Sequence, residues 1–371
     1  MRFPSSVRDE RTAAVLGSAL GITFTVCFVT GVVSHLVQDS AGWFHLPARP
    51  AGLYHWTQGL HIATGLASIP LLLAKLWAVI PKLFEWPPFS SVAHFVERLA
   101  LVPLVGGALL LLFTGLANIN IWRPWGFSFR SGHYAAAWIA IGGLIVHVGA
   151  KWSTTRRAMR RGARIVSVGD APSGGLDRRS FLFTIFGVSG LVTLFTAGQT
   201  YAPLRKLALL APRRPDVGPQ GFPVNRLASS VGLEHVDVAA YRLLIDGPGV
   251  ARPLALHYAD LRAMPQHSAR IPITCVEGWS TTQTWTGVRV RDLLALAGAR
   301  PEASATVHAL HRGRLRSAPL SADHAHDRDA LLALDVNGEP LHADHGFPLR
   351  LVGHNRPGVH QTKWVGRLEV H

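Results

Sequence analysis

The stretch Ile273–Leu294, ITCVEGWSTTQTWTGVRVRDLL, decides how the C-terminal half is read. Its Cys275 is one of only two cysteines in 371 residues, and the other, Cys27, lies in a long apolar run near the N-terminus. Cys275 therefore has no plausible disulfide partner within the chain. A lone thiol in an oxidising compartment is a liability unless something occupies it, and a metal is the commonest occupant. A buried core cysteine is the plainer alternative from residue type alone. A thiolate is a soft, strongly donating ligand, and a bound metal lowers the thiol pKa so that it binds deprotonated.

Two more blocks follow in order: NGEPLHADHGFPLRLV over Asn337–Val352 and GVHQTKWVGRLEV over Gly358–Val370. With CVEGWS, Trp285 and Gly287, they resemble the molybdopterin-binding domain of the sulfite oxidase family, an α+β fold that is mostly sheet. Within that family the cysteine run is similar to that of the periplasmic methionine sulfoxide reductase catalytic subunit. Animal-type sulfite oxidases place arginines soon after the cysteine, suited to an anionic substrate, whereas Glu277, Gly278, Trp279 and Ser280 stand here.

The resemblance implies that Cys275 is the catalytic metal ligand, completing a molybdenum held by the dithiolene of one pyranopterin. It implies cofactor contacts at His345 and Arg350, and at Gln361, Thr362 and Lys363 toward the phosphate end, where charged donors suit the anion. Asn225, in FPVNRL, and His311, matched by strand pattern, are further implied contacts; at His345 the family carries Asn. Surface charge is the alternative for Arg350 and Lys363, although both sit in β-type apolar alternation. Trp279 and Trp285 serve equally well as core aromatics or pocket walls. His324 and His326, in the Asp-rich run SADHAHDRDA, read as solvated.

Apolar residues make up 48% of the chain, and the excess is concentrated before residue 200. Five stretches reach the length of about 20 residues that a helix needs to cross a bilayer. They are Ala13–Leu36, Trp56–Ile80, Phe95–Ala117, Tyr134–Ala150 and Phe181–Thr200. Lys151–Ser180 holds eight basic residues against Asp170 and Asp177, so the positive-inside bias places it in the cytoplasm. Counting back places the N-terminus there too, and the fifth span carries everything after it outside. The net charge of +15 is then largely a topology signature of basic residues beside spans, which argues against a nucleic-acid partner. The predicted location is the plasma membrane of a prokaryote.

LDRRSFLFTIFGVSGLVTLF, starting at Leu176, resembles a twin-arginine export signal, with ordinary positive-inside flanking as the alternative. A cofactor-bearing domain must fold before it crosses, so the twin-arginine machinery is an expected partner. The helix reads as a retained anchor, followed by a linker rich in Pro, Gly and basic residues.

Ionisable residues inside apolar spans are functional candidates by default. His35 lies near the outer end of span one, His61 about two turns into span two, and His133 and His147 near the two ends of span four. The last two are 14 residues apart, about 21 Å of helix and nearly one face. That spacing resembles the helices of membrane b-type cytochromes, so haem b is the expected cofactor, with one outer haem taken from two of His35, His61 and His133. Outer positions are over-supplied, since His45 and His55 also lie there; at the inner surface only His94 offers His147 a partner. Quinol binding is the other role for an odd histidine.

The expected organisation is a four-span cytochrome-like domain over residues 1–150, a basic cytoplasmic loop over 151–180, an anchor and linker over 181–212, and a molybdopterin domain over 213–371. The expected activity is oxygen-atom transfer coupled to membrane quinone or quinol through haem. A reductase acting on a sulfoxide or N-oxide, small or protein-borne, is preferred. The alternatives are a sulfite-type oxidase passing electrons inward and an electron conduit without substrate chemistry.

Overall fold

The computed structural model describes residues 7–39, 43–83, 91–122, 124–160, 177–313 and 316–371. The chain divides into two compact units, Met1–Val32 with Leu60–Leu210, and Val33–Gly59 with Ala211–His371. The expected four-span domain thus gives up residues 33–59 to the C-terminal unit.

Five long helices carry the N-terminal part: α1 (Glu10–Asp39), α2 (Leu53–Leu83), α3 (Val92–Ile119), α4 (Phe129–Arg160) and α5 (Arg178–Ala197). All five are long and apolar enough to cross a membrane. Each extends beyond the predicted span at one or both ends. The largest difference is α4, which continues through Arg160 because Lys, Arg, Ala and Met all favour helix. The start of the predicted loop is therefore helical, its end at Arg178–Ser180 opens α5, and 161–176 lie outside the described residues.

Within the helical unit, small residues set the closest approach. A Cβ on Gly107 would meet Ala140 at 3.0 Å, and one on Gly143 would meet Leu104 at 3.0 Å, so α3 and α4 pack nearly backbone to backbone. Leu16, Leu71, Ala74 and Ala78 form a buried cluster joined by Phe181 and Leu182 of α5. Ser68 Oγ donates to Thr23 Oγ1 at 2.8 Å, tying α2 to α1. Ile22, Leu73, Val102, Ile145 and Phe183 project outward.

The C-terminal unit is built on two five-stranded sheets. The first has β1 (Arg242–Asp246) between β2 (Leu254–His257) and β10 (Val365–Val370), continued by β5 (Ala305–Ala309) and β6 (Ser317–Leu320). The second runs β3 (His267–Thr274), β4 (Ser280–Arg289), β7 (Leu331–Val336) and β8 (Glu339–Pro340), with β9 (Arg350–Val352) also paired to β7. The β1–β10 pair is parallel and the other pairs are antiparallel. Leu243, Ile245, Val307, Leu332, Leu351 and Leu368 share one buried core. The alternating burial of β1 and β5 is the period-two pattern of a strand with one face on that core.

Candidate active site

Cys275 sits in the loop joining β3 to β4, at the point where the ladder ends with Thr274 opposite Ser280. Its N–H donates to the Trp279 carbonyl at 3.0 Å, and the Gly278 N–H donates back to the Cys275 carbonyl at 3.2 Å. Gly278 has φ 85°, a left-handed conformation that strains a residue with a Cβ. The thiol is buried, at 4% exposure. Burial, then the Glu277 carboxylate, pushes it up to about 12, so without a metal it stays protonated at neutral pH. Trp279 donates from Nε1 to Glu277 at 3.3 Å, and Arg213 lies 3.7 Å from the same carboxylate. Trp285 is fully enclosed in the core around the cysteine, so both tryptophans are buried rather than exposed walls.

The residues implied at the cofactor converge on one buried polar region. Arg350, opening β9, donates from Nη1 to the His345 carbonyl at 3.0 Å, and its guanidinium lies 5.1 Å from the Trp285 ring centroid. Lys363 donates to the carbonyls of Arg226 at 2.9 Å and Asp344 at 2.6 Å. Gln361 donates to Pro272 at 3.0 Å and Arg356 at 3.2 Å, which ties its loop to the strand leading to Cys275. Gly358 belongs to that approach, because a Cβ there would meet the Thr274 carbonyl at 3.3 Å.

His345 stacks on Phe222 with centroids 3.7 Å apart, and its Nε2–H donates to the Pro219 carbonyl at 2.7 Å. Burial and the Arg350 charge push it down to about 3, so the ring is neutral with its lone pair on Nδ1. Asn225 is half-buried, next to the residue whose carbonyl receives Lys363. His311 is buried edge-on to Trp364 with centroids 5.9 Å apart, and its Nδ1 bonds its neighbour's carbonyl at 3.2 Å.

Burial dominates the electrostatics. It pushes Arg350 down to about 9 and Lys363 well below the usual lysine range. Arg356 is a third buried cation, pushed down to about 10, and it donates to the His360 carbonyl at 2.8 Å and the Pro319 carbonyl at 2.8 Å. None of the three has a carboxylate at ion-pair distance among the described residues. Buried charge without a counter-ion is costly, so Arg350 and Lys363, which lie close enough for each charge to act on the other, suit an anion. Arg350 Nε, Gln361 Oε1 and Thr362 Oγ1 are buried with no hydrogen-bond partner. Those orphaned atoms, with Arg350 and Lys363, fit a polar, phosphate-bearing cofactor. Arg356 escaped sequence reasoning. Its signal was a charged residue in HNRPGVH, between two apolar blocks. His324 is also a correction: it is buried rather than solvated, bonding Ser321 through Nδ1 at 2.9 Å.

In the helical unit, His61 of α2 and His133 of α4 come together with ring centroids 6.4 Å apart. His61 Nδ1–H donates to the Cys27 carbonyl at 2.8 Å, and His133 Nδ1 lies 3.0 Å from Thr114 Oγ1. His35 bonds Asp39 at 2.9 Å and belongs to the C-terminal unit. His147 has no second imidazole against it among the described residues, and Arg98 donates to His94 Nε2 at 3.3 Å.

Known proteins match the C-terminal part. Mouse mitochondrial sulfite oxidase is 30% identical over 175 residues, covering 40% of this chain and 32% of its own length. The uncharacterized oxidoreductase YuiH of Bacillus subtilis is 35% identical over 134 residues, covering 36% of this chain and 66% of its own. Residues 230–371 match the family model for the oxidoreductase molybdopterin binding domain. This segment is a sulfite oxidase-type molybdopterin-binding domain. The sulfane dehydrogenase SoxCD from Paracoccus pantotrophus is 26% identical to this chain, with a TM-score of 0.35, covering 38% of this chain and 40% of its own. The chain spans about a third of the length of the sulfite oxidases it matches, 32% for the mouse protein. The matched molybdopterin domain contains Cys275, His311, His345, Arg350, Gln361, Thr362 and Lys363, and begins just after Asn225.

Lys363→Met tests the anion-binding reading of that domain. Losing one charge-assisted contact of about 1.5–3 kcal/mol weakens pterin affinity roughly ten- to hundredfold. Pterin and molybdenum per polypeptide, measured after dilution and gel filtration, fall together. Parental cofactor content would show that Lys363 only braces the Arg226 and Asp344 carbonyls.

Proposed function

We propose that this chain is a membrane-anchored molybdenum enzyme that reduces an extracytoplasmic sulfoxide or N-oxide with electrons from membrane quinol, passed through a b-type haem. The single observation that carries it is the coexistence, in one chain, of the Cys275 site with the His61–His133 pair. The two rings, with centroids 6.4 Å apart, would hold a haem iron between them, at imidazole–metal bonds of about 2 Å. The Cys27 carbonyl and the Thr114 hydroxyl hold the two Nδ1 atoms, the kind of outer contact that fixes a ligating imidazole through its other nitrogen. His35 and His147 stay secondary haem candidates, His147 alternatively for quinol.

The bound cofactor supplies two-electron oxygen-atom transfer. The protein's own part is to hold a thiolate at Cys275, hold the pterin on His345 and Arg350 and its phosphate end on Gln361, Thr362 and Lys363, and keep water from the cysteine in a core that also encloses Trp279 and Trp285. The net reaction is quinol plus R2SO giving quinone, R2S and water, with two electrons and two protons passed on. A carboxylate two residues after Cys275 disfavours an anionic substrate and suits a neutral oxide. A sulfite-type oxidase, running electrons inward, is the second reading, favoured by the sulfite oxidases among the relatives.

Five apolar helices and the basic segment after α4 support a multi-pass protein in a prokaryotic plasma membrane with the catalytic domain outside. Metal and haem analysis of the detergent-purified chain tests the whole reading. With haem reduced, adding methionine sulfoxide or trimethylamine N-oxide reoxidises it. Reduction of oxidised haem by sulfite, with no response to either oxide, overturns the direction.

The export route has its own test. Changing Arg178 and Arg179 together to Lys keeps the charge, so insertion by positive-inside bias survives. Export by the twin-arginine route fails, and protease added outside intact cells no longer reaches the catalytic domain. Normal accessibility in the double variant makes the pair purely topological.

A further inference from the structure

Residues 33–59, the end of α1 and the start of α2 with the loop between them, belong to the compact unit that holds Cys275, although the matched molybdopterin domain begins only at residue 230. Specific bonds secure them there. Asn355, left-handed at φ 54° as asparagine tolerates, donates from Nδ2 to the carbonyls of Pro47 at 2.7 Å and Pro50 at 2.8 Å. Its Oδ1 accepts from the Tyr54 N–H at 3.3 Å. The Ala48 N–H donates to Asp323 at 2.9 Å, and Arg49 bonds Asp327 at 2.7 Å and also pairs with Asp329.

The segment so held delivers His55 to the base of the cysteine loop. Thr274 and Ser280 face each other at the last rung of the β3–β4 ladder, and Cys275 is the next residue. Both side chains are buried, with their hydroxyls 3.0 Å apart. His55 Nδ1 reaches both, 2.8 Å from Ser280 Oγ and 3.3 Å from Thr274 Oγ1. Ser280 Oγ donates to the Ile273 carbonyl at 3.2 Å, so it accepts from the imidazole N–H. Tyr54, one residue earlier, lies near enough to the thiol for the Cys275 charge to act on its hydroxyl.

We propose that His55 is a positioning residue for Cys275: a side chain from outside the matched domain that fixes the thiol by locking the hydroxyl pair beneath it. The role rests on Cys275 being the molybdenum ligand and asks nothing of the histidines in the helical unit. A hydroxyl rotates to suit its neighbours, and a buried one is costly without a partner. The imidazole N–H gives Ser280 a fixed donor, and Asn355 and Arg49 hold the backbone that carries the ring. Without that donor the Thr274–Ser280 pair rearranges. The cysteine loop, closed on itself by the backbone bonds between Cys275, Gly278 and Trp279, then shifts with its base. Contacts behind a metal ligand set its orientation and so tune the metal.

The test uses the full-length, detergent-purified protein and reads the metal directly, by electron paramagnetic resonance of partly reduced samples. In His55→Phe, pterin and molybdenum per polypeptide stay parental, because Arg350 and Lys363 are untouched, while the molybdenum resonance shifts. Amide exchange across residues 275–279 quickens about tenfold, the scale of one buried hydrogen bond. Turnover falls about tenfold with whichever of trimethylamine N-oxide and sulfite the parent accepts. His55→Asn, which keeps a donor near Nδ1, restores the parental resonance and exchange. Ser280→Ala removes the same bond from its other partner and shifts the resonance as His55→Phe does, which covers a His55→Phe protein that fails to fold. Parental resonance and exchange in both His55→Phe and Ser280→Ala overturn the positioning role. A resonance that stays shifted in His55→Asn assigns the effect to packing and overturns it too. A parental resonance in Cys275→Ser overturns the ligand reading instead, and the role of His55 with it.

Discussion

Cys275→Ser loses oxygen-atom transfer altogether, with either quinol or reduced dye as donor, while the domain stays folded. The hydroxyl is a hard, weakly donating replacement for a soft thiolate, so the metal loses the one ligand that the polypeptide supplies under this reading. The surroundings tolerate the change sterically, because oxygen is smaller than sulfur and the loop is held by its own backbone bonds between Cys275, Gly278 and Trp279. Pterin still binds, since Arg350, Lys363 and the orphaned Gln361 and Thr362 atoms are untouched. The expected pattern is parental pterin, altered metal spectroscopy and turnover at background. Full activity in Cys275→Ser sinks the ligand assignment and returns the residue to an ordinary buried thiol.

The parts of this site that sequence made legible are those where residue type alone carries chemistry. A cysteine without a partner points to a ligand, and Gln361, Thr362 and Lys363 are contiguous, so the one loop before β10 brings all three to one place. Arg356 was hidden because nothing local separates a buried guanidinium from a surface one. Its environment comes from Pro319 and His360, assembled by the sheet. His324 was misread for a related reason. The carboxylates of its Asp-rich run are bound to neighbours as well as solvated: Asp323 takes the Ala48 N–H, and Asp327 and Asp329 take Arg49. Burial, followed by the nearby Arg356 charge, pushes His324 down to about 4, so the enclosed ring is neutral.

The surplus of outer histidines resolves in the same way. His45 pairs with Asp323 at 3.3 Å, His55 meets Ser280, and His35 meets Asp39. Spacing along the sequence could not separate these from His61 and His133, because each falls near a span end that the sequence reads as outer. The separation depends on contacts between residues far apart in the chain, which no local pattern records. The five helices were legible for the opposite reason, since length and apolar content are local properties.

His61→Ala removes the haem absorbance and all quinol-driven turnover, while dye-driven turnover by the molybdenum domain persists. Under the haem reading, a site of two imidazoles cannot hold its iron on His133 alone with parental affinity. Alanine also frees the Cys27 carbonyl and leaves open space against Gly31, where a Cβ would otherwise come within 2.9 Å of the imidazole. His133→Ala gives the same split, because the two rings act as one unit, and the double variant is no worse than either single one. His35→Ala keeps the haem, as its ring is engaged by Asp39. A packing role for His61 predicts a different result, in which both donors lose activity together through lower yield of folded protein. Retained haem and quinol-driven turnover in His61→Ala would remove it from the site and leave His133 to be paired with His35, against the 6.4 Å ring geometry.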